Sequence, residues 1–361
     1  MHTKRKYYKR DQVHLKGITV DLKSGLYRTL SKDELGSFFE GLKRHGSVYG
    51  PVKISEDSHA FRKVDDLAQM DLGYTRTLIP PKKFFIKPRE DIFLFDEEEA
   101  TFKEPPPDQE VVVFGVHACD INALNLLARV FLEDTPDRYY RERRERTLLV
   151  GLSCVPDENC FCRSTGTSHA VEGFDVFLND LGDKYLVRVG SMKGYGAVMD
   201  GNLNLEEATQ EDLGKYKAAE AARDGLFKRS LDVNGLQTYL DLSYDDPLWK
   251  EFGDRCLSCG SCNLVCPRCR CYDIKDYINL DTKTGGRNRL WYSCMLGDHG
   301  LVAGGLNFRP TTTERIRNRF NCKGSLREGL PNCVGCGRCT VYCPADIDYV
   351  EVMKRVRGEE P

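Results

Sequence analysis

Apolar and polar positions alternate with two different periods in the first two-thirds of the chain, and the pattern dissolves in the last third. Ser31 and Glu34 have the spacing of a capping box and predict a helix running to about Arg44. Residues 84–95, FFIKPREDIFLF, read as short extended pieces broken at Pro88, and the proline run at 104–109 as an exposed connector. Val111–Val116 is a compact β-rich apolar run, and the INALNLLARVFL that follows has helical period. Thr147–Leu152 is a second such strand. Residues 171–178 and Lys184–Val189 should pair as an antiparallel hairpin across the polar NDLGD turn. The charged, Ala-rich stretch 206–228 fits one or two exposed helices. Residues 242–247 look like a hand-over, so a domain boundary is placed near residue 245. Beyond it, residues 273–279 show helical spacing. The expected fold is an α+β N-terminal domain with α/β strand–helix units over 1–245. A mainly helical, dicluster ferredoxin-like domain over 246–361 should follow it.

Charge alters this picture little. Lys and Arg number 53 against 55 Asp and Glu, a net charge of −2, which argues against a generic nucleic-acid binder. No apolar run is long enough for a transmembrane helix, and the basic N-terminus MHTKRKYYKR has no apolar run behind it. That basic run reads as a solvated tail, with docking to an acidic partner as the alternative. A cytoplasmic location is expected.

Cysteine alters it a great deal. Of 16 cysteines, four lie between Cys119 and Cys162 and twelve lie beyond residue 250. In a large chain without an export signal they point to metal or redox chemistry rather than disulfides. Cys256, Cys259, Cys262 and Cys266 are spaced C-x2-C-x2-C-x3-C and followed by Pro267. Cys333, Cys336, Cys339 and Cys343 repeat the spacing, with Pro344 after them. This is the bacterial ferredoxin run, in which three thiolates on a tight loop take three corners of one cubane and the fourth cysteine ligates the other. One [4Fe–4S] cluster should therefore rest on Cys256, Cys259, Cys262 and Cys343, and the second on Cys333, Cys336, Cys339 and Cys266. Gly260 and Gly337 should allow close backbone approach and supply amides to cluster sulfurs. A pair of tetrahedral zinc sites is the competing reading, disfavoured because each run offers three cysteines plus a proline-linked fourth.

Cys119, Cys154, Cys160 and Cys162 all fall just past expected strand ends, where open α/β sheets place ligands. They are candidates for a third iron–sulfur cluster, with burial as small hydrophobes the plainer alternative. Cys269, Cys271 and Cys294, beside the first ferredoxin run, are rival ligands for that centre. Cys322 stands alone and reads as structural. His117 and His299 lie near cysteine motifs and read as satisfied structural histidines, with ligation or a hydrogen bond to a cluster sulfur as the alternative, and Asp120 reads as a cap of the helix after it rather than an acid–base group. Gly194 and Gly196 begin a dinucleotide fingerprint, but Met199 stands where the third glycine belongs. No nicotinamide or nucleoside triphosphate site is legible, and a flavin site cannot be read.

Five segments carry a likeness to a known family: VVFGVHACDINAL at 112–124, ENCFC at 158–162, LWKEFGDRCLSCGSCNLVCPRCRCYD at 248–273, RLWYSCMLGDHGLVAGGLNFR at 289–309 and NCVGCGRCTVYCP at 332–344. The chain resembles the dicluster iron–sulfur subunits found in anaerobic sulfite reductase and, as the beta subunit, in cytosolic sulfhydrogenase, a NiFe hydrogenase. The resemblance implies a non-catalytic subunit relaying electrons between a flavoprotein that meets NAD(P)H and a catalytic subunit. It implies [4Fe–4S] ligation by the eight ferredoxin cysteines and favours the other cysteines in matching motifs, but not Cys322. A self-contained flavin- or cluster-dependent reductase of sulfur compounds is the main competing function, and a redox-sensing interaction module is another.

Overall fold

The computed structural model describes residues 12–15, 18–21, 26–200, 203, 205–327 and 330–360. The basic run at residues 1–10 lies outside them. The chain opens with a two-stranded hairpin of β1 (Gln12–Leu15) and β2 (Ile18–Asp21). There follow β3 (Leu26–Ser31), α1 (Leu35–Leu42), β4 (Ser47–Ser55), β5 (Ser58–Lys63), β6 (Arg89–Asp96) and β7 (Thr101–Lys103). Next come β8 (Val111–Val116), α2 (Ala118–Leu132), α3 (Arg138–Arg146), β9 (Thr147–Leu152), β10 (Val176–Asp180) and β11 (Lys184–Val189). The first part closes with α4 (Met192–Met199), β12 (Glu206–Glu207), α5 (Gln210–Asp224) and α6 (Leu236–Leu242).

Eight of these strands form one sheet in the order β12-β3-β11-β10-β9-β8-β4-β5. Its centre is parallel: β8 pairs with β9 and with β4, and β9 with β10. Val112, Val113, Phe114, Leu149 and Val150 are fully buried there, because helices cover both faces. Each such side chain contributes roughly 1.5–3 kcal/mol. Ser31 caps a 3-10 turn at Lys32–Glu34, its hydroxyl accepting from the Asp33 amide instead of forming the expected capping box, and α1 follows directly and ends in a second 3-10 turn at Lys43–His45. The strand before the NDLGD turn begins only at Val176, since Gly173 takes a left-handed turn.

The second part carries α7 (Leu248–Arg255), α8 (Ser261–Leu264), β13 (Tyr272–Ile278), β14 (Thr284–Trp291) and α9 (Thr312–Gly324). The short pair β15 (Leu326–Arg327) and β16 (Leu330–Pro331), then α10 (Arg338–Val341) and α11 (Tyr349–Val356), complete it. Residue 245 lies in the link between α6 and α7. The reading of residues 273–279 as helical is corrected: Tyr272–Ile278 is a strand paired with β14 in the register Tyr272↔Trp291. Ile274, Tyr277 and Ile278 have helical spacing, but they are also strand formers, and β14 supplies the ladder that decides the outcome. A mainly helical second domain is therefore too simple. Sheet order β13-β14-β6-β7 also joins strands from either side of residue 245. Glu90 on β6 is buried between Arg143 of α3 and Arg289 of β14, which pins this sheet to the first part. Among the described residues no helix is long and apolar enough to cross a membrane.

Candidate iron–sulfur centres

All sixteen cysteines are free, and they gather into groups. The two ferredoxin runs fold alike, as their repeated sequence requires. In each run the second residue after the first cysteine, Ser258 or Gly335, has positive φ and donates its amide to that cysteine's sulfur at 3.4 Å. Gly260 and Gly337 are also left-handed and open the short helices α8 and α10. The glycines thus shape the loops as expected, while the amide-to-sulfur bonds come from the residues two places earlier. Such bonds stabilise thiolate charge and tune a cluster's potential.

A largely apolar cavity is lined by five cysteines, Cys256, Cys259, Cys262, Cys343 and Cys339, with Ile316 and Tyr349 among its walls. The first four are the set expected for the first cluster, three from one run and the last of the other, while Cys339 belongs to the set expected for the second. Cys333, Cys336, Cys339 and Cys266 form a second neighbourhood, in which Cys266 and Cys336 act electrostatically on Cys333 and Cys339, and Cys266 on Cys336. Burial pushes the Cys333 thiol up to about 12 and raises Cys336 and Cys339 as well. Protein alone therefore does not favour thiolates at these three, whereas the neighbouring Lys323, Arg319 and Lys82 lower Cys266 despite its burial; bound iron would supply the positive charge the three lack. Arg319, buried and close to Cys262, Cys266 and Cys339, supplies part of it.

The four earlier cysteines meet at the carboxyl ends of β8 and β9. Cys119 sits in the first turn of α2 and acts electrostatically on Cys162, while Cys162 faces Cys154 and Cys160. Arg76 donates to the Cys160 sulfur at 3.4 Å and to Asp157. Asn122 on α2 donates to the carbonyls of Thr167 and His169, which holds the cysteine loop over the helix. The loop then packs backbone to backbone against the second ferredoxin run: the Phe161 amide donates to Gly335 O at 2.8 Å, and Thr167 Oγ1 donates to Val334 O at 2.7 Å. A side chain at Gly337 would stand 2.6 Å from Asn159 O, so only glycine fits that approach. Cys119 and Cys336 pack on one small apolar cluster, so this group adjoins the second neighbourhood directly.

Asp120 does not cap α2; its N-cap is His117. Instead Asp120, 0% exposed, forms a two-pronged ion pair with Arg338, 1% exposed, at 2.6 and 2.8 Å. Arg338 lies between Cys336 and Cys339 in the run and also donates to Thr77 O. The pair has no local signature in the sequence, because its members are 218 residues apart. His117 is only half satisfied: Nδ1 bonds Thr75 O at 3.0 Å, whereas Nε2 has no partner among the described residues. Burial pushes its pKa down to about 3, so the ring is neutral, and it stacks on Tyr74 at 4.1 Å. His299 packs against Tyr292 at 5.5 Å. The glycines at 194 and 196 lie inside α4, not at a phosphate-binding turn.

Cys269, Cys271 and Cys294 form a further group beside the first run, separate from the strand-end four. Cys322 lies on α9 next to Lys323. Among the described residues no three His, Cys, Asp or Glu side chains converge as a single metal ion requires.

This architecture, a sheet domain presenting cysteines to a duplicated ferredoxin run, defines an iron–sulfur electron-transfer protein, and residues 255–347 match the 4Fe-4S dicluster domain family. The chain is 45% identical over 332 residues to sulfhydrogenase 2 subunit beta of Pyrococcus furiosus, spanning 92% of this chain and 98% of that one. It belongs to the family of sulfhydrogenase beta subunits.

Proposed function

We propose that this chain is the electron-relay subunit of a hydrogenase- or sulfhydrogenase-type complex, standing between a flavoprotein that meets NAD(P)H and a catalytic subunit. The observation that carries the reading is the contact between cysteine groups: Cys119 and Cys162 of the strand-end four abut Cys336, and the two ferredoxin neighbourhoods share Arg319 and Cys339. A [4Fe–4S] cluster, when bound, supplies one-electron redox chemistry. The chain's part is to hold such groups in line, dry, and beside fixed cations.

The residues fit cubanes better than single ions. Their thiols border cavities rather than converge on a point, and buried cations stand next to them as counter-charges. On this reading Cys256, Cys259, Cys262 and Cys343 hold one cluster, and Cys333, Cys336, Cys339 and Cys266 the next. Cys119, Cys154, Cys160 and Cys162 hold a third.

Cross-ligation has a direct test. Cys343→Ala should perturb the EPR signal of the cluster on the first run and leave that on Cys333, Cys336 and Cys339 intact. The reverse pattern would show that each run ligates its own cluster. Anaerobic co-purification from the native cell tests the relay: a flavoprotein and a hydrogenase-type catalytic subunit should accompany the chain, and its isolation as a lone protein under mild conditions would oppose the reading.

A further inference from the structure

Arg319 of α9 stands in the wall of the cavity that the first ferredoxin run lines, 4% exposed. Its Nη2 donates to Cys262 O at 3.2 Å, while Nε and Nη1 have no partner among the described residues. None of its nitrogens therefore bonds a carboxylate there. Several buried arginines leave Nε open, but among the described residues Arg319 alone leaves an Nη nitrogen open as well. Buried donors without acceptors are costly, the more so on a charged group, and native folds rarely keep them. Arg338, in the second run, shows the satisfied alternative: Nε donates to Thr77 O, and Nη1 and Nη2 meet the Asp120 carboxylate.

The register of α9 puts the side chain there. A capping box of Thr311 and Glu314 fixes where the helix begins. Ile316, Arg319 and Phe320 then fall on one face, three and four residues apart, and all three line the cavity. One turn before Arg319, Arg315 donates Nη2 to Ser258 Oγ at 3.1 Å. Ser258 and Cys262 are likewise four residues apart, so α9 and the first run advance in step. The same cavity takes in Cys339 from the second run. Arg319 thus stands where the cysteine sets of both expected clusters meet. The side chains of Ile316, Phe320 and Ile347 offer its open N–H groups no acceptor, whereas cysteine and cluster sulfurs accept hydrogen bonds.

We propose that Arg319 bridges the two ferredoxin clusters, its open N–H groups donating to their sulfurs, and that this contact raises both reduction potentials. The inference rests on the iron–sulfur reading above and adds to it the residue that tunes the pair. The physical reason is charge. A reduced cluster carries one more electron than an oxidised one, so a donor on a fixed cation stabilises the reduced form more. Burial makes the difference large, because little water is present to screen it. One guanidinium serves both clusters, so their potentials move together when it is altered.

The test is an EPR-monitored redox titration of the full chain purified anaerobically, with iron and sulfide counted on the same samples. Arg319→Met should keep the iron of the ferredoxin pair and make reduction of each cluster at least about tenfold less favourable, a shift of about 59 mV to more negative potential. Arg319→Lys keeps the charge but lacks the planar fork of donors, and its potentials should fall between those of Arg319→Met and the wild type. Full iron with unmoved potentials in Arg319→Met, or a shift of one cluster alone, would overturn the proposal. Wild-type potentials in Arg319→Lys would overturn the hydrogen-bond bridge. A measurement on the wild type serves where a variant loses its clusters. With arginine isotopically labelled at the guanidinium nitrogens alone, pulsed EPR of the reduced chain should show coupling of that label to the cluster spins. Arg338 makes no such bond, its N–H groups being held by Asp120 and Thr77. Absence of the coupling equally overturns the bridge. A chain that binds no iron and sulfide fails the iron–sulfur reading instead, which keeps the two failures apart.

Discussion

Cys160→Ser combined with Cys162→Ser is expected to lower the iron content by about four per chain, with matching loss of sulfide. The ferredoxin signals should persist, because none of the eight ferredoxin cysteines is altered and the Phe161 amide and Thr167 hydroxyl still bond the second run. Electron delivery should fall far more than cluster content, since on the proposed reading the strand-end centre extends the chain of centres into the sheet domain. The check is iron and sulfide analysis together with NAD(P)H-linked turnover of the reconstituted complex. Unaltered iron would rule out the strand-end centre.

The second large effect belongs to Asp120. Removing its carboxylate leaves Arg338 buried without a counter-charge between Cys336 and Cys339, two proposed cluster ligands, which costs about 3–5 kcal/mol. Asp120→Ala should lower the anaerobic unfolding midpoint by a corresponding amount and loosen the cluster on Cys336 and Cys339. Replacing both partners, Asp120→Leu with Arg338→Met, should recover much of the stability, because an apolar pair carries no desolvation cost. A single variant losing under about 1 kcal/mol would show that the pair is not shielded as its burial implies.

Local signals in the sequence were enough for some of this architecture. Val111–Val116 and Thr147–Leu152 are strands with the expected bounds, because buried parallel strands read as continuous apolar runs. The cysteines after them sit at strand ends as expected. The duplicated run announced the dicluster domain, since its ligand spacing is set by local loop geometry. Long-range partners were not legible. Tyr272–Ile278 is a strand because β14 lies beside it, and nothing within its seven residues says so. The Asp120–Arg338 pair, the buried Lys82 and the packing of Gly337 against Asn159 all join segments far apart in the chain. The thiols outside the duplicated runs show the same limit. Cys269, Cys271 and Cys294 looked like rivals of the strand-end four, and in the fold the two sets occupy different places.

The central claim is that this chain conducts electrons and does not itself turn over substrate. The most direct measurement is an anaerobic assay of the isolated, fully loaded chain with a chemical reductant and, in turn, sulfite, polysulfide and protons. The clusters should reduce and reoxidise while none of these acceptors is consumed until a catalytic subunit is added. Sustained turnover by the isolated chain would contradict the claim.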